Sequence, residues 1–313
     1  MSHKNKESLT FQVEKKLKSK LRIGESKHLD KQFNTKEFKM TSEFIYSYGT
    51  LKTYMKHCNY FVQYCKENYK CKTLEQCKPY IGEWLNTRND LSAYTAKLEL
   101  SAICKLYGMT AKEIRDQYNY IPPKRIRSNI TRSRSECARD KHFSEKKNNE
   151  LVTFCRCTGL RRHELENLKS DNLIFKNGIY YIQVFNGKGG KNRQVQVIPE
   201  NDEELRIVLK LFEDSKNNAK QKVFPKIHNG CDVHGYRAEY AARAYRLVAR
   251  SEDELRKCPK VKSEKGYMIN QDMYIMRTDM KDTILDKKAM LFASRQLGHN
   301  RIDVIASHYL RDL

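Results

Sequence analysis

The sequence predicts a mainly α-helical protein with a small β-sheet, built as two domains. Three observations carry that expectation. Apolar side chains recur at three- and four-residue steps through residues 41–120. The period drops to two between Ile174 and Pro199. A proline pair and a basic run poor in core residues, 121–141, separate the two patterns. A chain of 313 residues is long enough for two cores of ordinary domain size.

Composition narrows the partners. Lysine and arginine exceed aspartate and glutamate by 23 formal charges, a field that concentrates polyanions, so nucleic acid is the expected partner. No apolar run is long enough to span a bilayer and no secretory signal is present, so no membrane partner and a cytoplasmic setting are expected. Cys58, Cys65, Cys71 and Cys77 are too widely spaced for a zinc finger, and Cys155-x-Cys157 has no matching second pair. Free thiols and no metal site are therefore expected.

Residues 1–40 form a basic N-terminal segment. Leu9, Val13, Leu17 and Leu21 recur every four residues, as one amphipathic helix would, before Gly24 interrupts. The pattern leaves a docked helix and a loose tail equally open. Within 41–120, Tyr54, Cys58, Phe61, Val62 and Cys65 make one apolar face. Leu74, Cys77, Tyr80, Ile81, Trp84 and Leu85 make a second, with Trp84 as core anchor. Leu91, Tyr94, Leu98, Ser101, Ile103 and Leu106 suggest a third helix, started by Asp90 or Ser92. Lys52, Lys56, Lys66, Lys70 and Lys72 fall largely off these stripes and predict a basic outer face.

Pro122-Pro123 stops any helix, and the linker 121–141 then carries Lys124, Arg125, Arg127, Arg132 and Arg134. Between two DNA-binding lobes such a run would lie along phosphates. The second domain, 142–313, opens near Ser144-Glu145, a fair helix start. Helices are expected over Leu151–Thr158, ending at Gly159, over Arg162–Lys169, and over Asn201–Phe212. Ile174, Gly178, Tyr180, Ile182 and Val184 alternate, as do Val195, Val197 and Pro199. Between them runs Asn186 to Arg193, glycine-rich and cationic, read as a hairpin tip with Lys191 and Arg193 as DNA contacts. From His234 the chain reads as mainly helical.

The candidate chemistry is gathered in the second domain. Cleaving a phosphodiester without a metal needs a nucleophile, cationic clamps on two non-bridging oxygens, and an acid for the leaving oxygen. Arg161 follows a Gly-Leu step, and Arg237 lies one helical turn from His234. A guanidinium fork can hold two phosphate oxygens and keeps its charge. Lys188 could donate a proton from a hairpin tip, favoured over Lys191 by its Gly-Lys-Gly setting. Tyr309 follows His299 near the C-terminus and is the candidate nucleophile.

These segments resemble the tyrosine recombinase, or integrase, family. The matching stretches are Thr158-Gly159-Leu160-Arg161-Arg162-His163-Glu164-Leu165, Gly187 to Lys191, His234-Gly235-Tyr236-Arg237, and Leu297-Gly298-His299 through Tyr309, in the family's order. The likeness extends over about residues 41–313 and is greatest to integrases of bacterial conjugative transposons and prophages. It implies a helical core-binding domain and a mixed α/β catalytic domain that clamp duplex DNA at specific recombination sites. It implies a homotetramer on DNA, accessory DNA-bending or excision factors, and no cofactor. Carried over by residue, Arg161 and Arg237 would bind the scissile phosphate, Lys188 would be the general acid, and His234 would accept the Tyr309 proton. His299 would hydrogen-bond the phosphate, Glu164 would support the site, and Tyr309 would form a 3′-phosphotyrosyl link. Competing readings are a non-catalytic DNA-binding regulator of recombinase descent and a type IB topoisomerase-like enzyme.

Three features depart from the family pattern. His299 to Tyr309 is ten residues, one more than usual, and one residue turns a helix by about 100°. Arg237 to His299 spans sixty-two residues, which predicts an inserted hairpin over about 251–286. Four residues follow Tyr309, where many members carry a longer tail that docks on a neighbouring subunit.

Overall fold

The N-terminal leucine repeat folds as helix α1, Leu9–Lys18, capped by Ser8, whose hydroxyl accepts the Phe11 N–H at 3.2 Å. The structure is a computed structural model that describes residues 7–27, 29–30, 32, 42–124, 142–187, 190, 192–217, 221–264, 266–277 and 280–310. It divides into two units, Met1–Ile126 and Arg127–Leu313. Leu9, Val13 and Leu17 are buried in the core of the first unit, so the repeat is a docked helix.

Helix α2, Tyr48–Tyr69, buries Cys58, Phe61, Val62 and Cys65. The second apolar stripe is split into α3, Leu74–Cys77, a 3-10 turn over Lys78–Tyr80, and α4, Ile81–Asn86. Pro79 causes the split, because it has no N–H for a continuous α-helix. Trp84 packs on Phe61 with ring centroids 5.3 Å apart. Helix α5, Ala93–Tyr107, is capped by Ser92. Its inner face differs from the expected one. Ala96, Glu99, Leu100, Ile103 and Leu106 point inward, while Tyr94 is 49% exposed. The stripe is disguised by Glu99, a fully buried carboxylate that receives Arg88 at 3.0 Å and His57 Nδ1 at 3.2 Å. Helix α6, Ala111–Tyr118, begins with a reciprocal Thr110–Glu113 cap.

In the second unit α7, Asn149–Thr158, ends at Gly159 with φ +55°. A Cβ there would lie 2.3 Å from Tyr240 Cδ1, so both backbone conformation and close packing require glycine. Helix α8 is short, Arg162–Glu166, with Leu165 inward. A three-stranded antiparallel sheet follows, in the order β1 Leu173–Lys176, β2 Ile179–Val184, β3 Arg193–Gln196. The run expected to alternate unbroken from Ile174 to Val184 is two strands. Asn177 and Gly178 both take positive φ and turn the chain, as an Asn-Gly pair favours.

Helix α9, Asp202–Lys216, and α10, Val233–Val248, pack on α7. The 251–286 stretch is more than one hairpin. It comprises α11, Glu252–Lys257, a ribbon of β4 Lys260–Lys262 with β5 Met268–Asn270, and a second of β6 Met273–Ile275 with β7 Ile284–Asp286. Helix α12, Lys287–Gln296, then packs on α10, and α13, Ile302–His308, on α12. Phe154, Ile182, Val195, Tyr240 and Met290 lie at the centre of this core. Among the described residues no helix is long and apolar enough to cross a membrane.

Candidate active site

Two local backbone features aim two arginines at one point. The left-handed Gly159 ends α7 and turns the chain, which leaves Arg161 at the N-cap of α8 in extended conformation. The start of α10 is set by Asp232, whose side chain accepts the Gly235 N–H at 3.1 Å. Arg162 steadies the preceding loop by donating to His228 O at 3.2 Å and Cys231 O at 2.8 Å. Arg237 then lies on the first turns of α10, only 3% exposed. Its guanidinium donates to Gly159 O and Leu297 O. Arg161 Nη2 donates to the same Leu297 O at 3.1 Å. The two forks therefore converge on the Leu297-Gly298-His299 turn.

Glu164 holds the floor of the site. It accepts the Arg161 backbone N–H at 2.8 Å and Arg161 Nη1 at 2.9 Å. Arg193 meets both its oxygens, Nη1 at 2.8 Å and Nη2 at 2.7 Å, and adds Nε to Gln296 O at 3.3 Å. This corrects the expectation that Arg193 is a tip residue reaching for DNA. It opens β3 with the parity of buried Val195, so its side chain points inward, and its side chain is 11% exposed. That parity was visible in the sequence. The same guanidinium packs on Gly298, where a Cβ would meet Arg193 Cδ at 3.0 Å and φ is +70°.

Electrostatics distinguish these groups. Burial alone would raise the Glu164 pKa, but hydrogen bonds from Arg193 and the Arg161 N–H overcome it and hold the carboxyl at about 2. Arg237 shows the opposite pressure. Desolvation pushes its pKa down to about 10, Arg161 and Arg193 add repulsion, and Tyr309 partly offsets both. Among the described residues Arg161 and Arg193 thus share one carboxylate, and the partners of Arg237 are neutral: two backbone carbonyls and the Tyr309 side chain. Such a cluster retains positive charge for an anion.

Tyr309 closes the site from the C-terminal side. It caps α13 and is buried. Its ring centroid is 5.6 Å from the exposed His234 ring, 5.9 Å from His299 and 5.9 Å from Arg237 Cζ. The extra residue between His299 and Tyr309 is accommodated outside helix. Gly298 is left-handed, Arg301 is extended, and α13 has only seven residues. Arg161, Glu164, His234, Arg237, His299 and Tyr309 are therefore one constellation within one chain. Lys188 and Lys191 lie outside the described residues, as do Arg125, Arg127, Arg132 and Arg134. Lys124 is exposed at the end of the first unit.

Among solved structures the chain is similar to the XerH site-specific recombinase bound to palindromic difH substrate in a post-cleavage complex. The TM-score is 0.53 at 16% identity, covering 96% of this chain and 91% of that one. The chain has the tyrosine recombinase fold. A pre-cleavage complex of XerH with difH gives 0.44 at 16% identity over 82% and 76% of the two chains. XerA recombinase gives 0.33 at 18% identity over 85% and 89%. No protein-family model and no curated protein sequence matches the chain. Within this recombinase fold, the site described above rests on the chain's own geometry.

One expected result tests the floor of the site. Glu164→Gln should lower stability at neutral pH by about 3 kcal/mol, because two partly buried guanidiniums lose their counter-ion. The depressed carboxyl stabilises the fold fully above its unfolded pKa of roughly 4.3. That contribution fades as pH falls toward about 2. Urea unfolding at pH 7 should show the gap between wild type and variant, and it should narrow steadily from pH 4 downward. A gap independent of pH would rule out this role.

Proposed function

We propose that this chain is a site-specific DNA recombinase that cleaves and rejoins strands through a 3′-phosphotyrosyl intermediate. The observation that carries the proposal is the under-neutralised guanidinium cluster with the Tyr309 ring set between it and two imidazoles. Arg161 and Arg237 bind the two non-bridging oxygens of the scissile phosphate and stabilise the charge that grows on them. Tyr309 Oη attacks phosphorus in line. The new P–O bond to tyrosine forms as the bond to the 5′ oxygen breaks. His234 takes the tyrosine proton, His299 donates to a phosphate oxygen, and Lys188 supplies a proton to the leaving 5′ oxygen. Attack by a 5′ hydroxyl on the phosphotyrosine reverses the steps, so the bond energy is conserved without a nucleotide or metal.

Arg161 and Arg237 serve within the subunit whose Tyr309 attacks, consistent with all three lying in one chain. Two duplexes held by four subunits would exchange strands in turn, integrating or excising a mobile element of the conjugative transposon or prophage kind. Accessory DNA-bending or excision factors and the linker residues Lys124, Arg125, Arg127, Arg132 and Arg134, with Lys191 at the hairpin tip, belong to the same proposal as DNA contacts.

The test is a suicide duplex. It carries DNA taken from either flank of the coding region and is nicked so that the released 5′ end diffuses away. A covalent protein–DNA adduct resistant to detergent is expected, and binding should weaken steeply with salt. Binding without any adduct would favour a non-catalytic regulator. Sequence-independent relaxation of supercoiled plasmid by a monomer would favour topoisomerase-like action.

A further inference from the structure

The 251–286 stretch is not used by the chemistry above, yet it is firmly built. Arg250, just past α10, donates from Nε to Asp286 Oδ2 at 2.7 Å, from Nη2 to Asp286 Oδ1 at 2.9 Å, and from Nη1 to Asp272 at 2.8 Å. Lys288 Nζ reaches Asp272 at 3.0 Å. Asp286 is fully buried and also caps α12 through the Lys288 N–H at 2.8 Å. Asn270 Nδ2 on β5 donates to Leu255 O at 2.6 Å, which ties the ribbon to the buried end of α11. The inserted stretch is thus anchored to α10 and α12, the helices that carry Arg237 and lead into Leu297.

The β4–β5 ribbon has the shape and charge of a groove reader. It is two-stranded, with Lys260 opposite Asn270, Val261 opposite Ile269, and Lys262 opposite Met268. Directly opposed residues share a face, so Lys260, Lys262, Asn270 and Met268 lie on one side. Lys257, Lys260 and Lys262 are exposed, and no carboxylate lies within 4 Å of their amines among the described residues. The turn end presents Tyr267 at 71% and Met268 at 62% exposure. Among the described residues the ribbon pairs with no third strand, and such edges with exposed apolar tips call for a partner. Its lysines favour a polyanion, and a two-stranded ribbon fits a DNA major groove.

We propose that the β4–β5 ribbon is a second DNA-contact element, seated in a duplex groove outside the cleavage site, with Lys260 and Lys262 on phosphates and Tyr267 and Met268 at the groove wall. The proposal rests on the DNA-recombinase reading and extends it. From Arg237 to the end of α10 at Val248 is eleven residues, or roughly 16 Å of helix. The ribbon's anchor at Arg250 therefore lies beyond the far end of that helix from Arg237, away from the guanidinium clamp. Because its base is locked to α10 and α12, groove contact would hold the cleavage site in register.

The experiment uses the full chain with the same flanking DNA, comparing wild type, a Lys260→Ala/Lys262→Ala double variant and a Lys260→Arg/Lys262→Arg double variant. Affinity across a salt series and hydroxyl-radical footprints are read together. The alanine variant should lose the flanking protection, bind about tenfold more weakly, and show a log–log salt slope smaller by about 2, since each phosphate contact contributes roughly 0.9. The arginine variant should restore slope and footprint. An unchanged slope and footprint in the alanine variant would overturn the proposal. So would an unchanged slope with loss of higher-order assembly, which would make the ribbon a contact between protein copies. Covalent trapping separates the two levels. If wild type forms the adduct but the footprint ignores Lys260 and Lys262, only the ribbon proposal fails. If the ribbon-dependent footprint is present but wild type never forms an adduct, only the recombinase reading fails.

Discussion

Tyr309→Phe is expected to abolish covalent capture of DNA while leaving affinity within about twofold, since the nucleophile is lost and the ring is kept. The substitution removes one oxygen and preserves a buried aromatic of the same shape. The ring contacts with His234 and His299 should survive, as should the C-cap of α13. Fold and DNA binding are therefore separated from chemistry. The measurement is the yield of detergent-resistant adduct on the suicide duplex beside the binding isotherm on intact duplex. Adduct formation by the phenylalanine variant at the wild-type rate would remove Tyr309 from the mechanism. Loss of adduct and of binding together would mean that the hydroxyl is structural.

Arg237→Ala is expected to slow cleavage by about three orders of magnitude or more, the scale for removing a preorganised donor from developing negative charge. Two effects on stability oppose each other. Alanine leaves Gly159 O without its buried donor, which costs about 1–3 kcal/mol, while Leu297 O keeps the Arg161 Nη2 donor. It also removes a guanidinium whose pKa burial has already pushed down to about 10 beside Arg161 and Arg193. The net change in unfolding free energy should thus be modest beside the rate loss. Arg237→Lys keeps a charge but lacks the planar fork, so it should fold near normally and still cleave poorly. Single-turnover cleavage with the unfolding midpoint of each variant checks both points. Normal cleavage by either variant would show that the clamp lies elsewhere.

Much of the site could be read from residues because its parts are local. Thr158 to Leu165 is a helix end, a left-handed glycine and a new helix start, and the positions of Gly159 and Arg161 follow from those rules. His234 and Arg237 are related by helix geometry alone. Other features were hidden for definite reasons. Glu99 interrupts an apolar stripe because its charge is met by Arg88 and His57 from distant positions. Arg193 looked like a solvent cation because its counter-ion lies twenty-nine residues upstream. The 251–286 stretch resolved into a helix and two ribbons because its ordering comes from Arg250, Asp272 and Asp286, not from its weak alternation.

By itself the sequence determined the mainly α composition, and it singled out as candidates the basic linker and, in order, Arg161, Lys188, His234, Arg237, His299 and Tyr309. Periodicity, helix stops and side-chain chemistry are properties of short windows, so they can be read without coordinates. Only the tertiary structure decided that Arg161 and Arg237 share the Leu297 carbonyl, that Arg193 neutralises Glu164, and that Tyr309 reaches both imidazoles despite its extra residue. Each of those is a contact between segments far apart in the chain. Its existence depends on how α7, α10 and α12 pack, and on the desolvation that packing imposes.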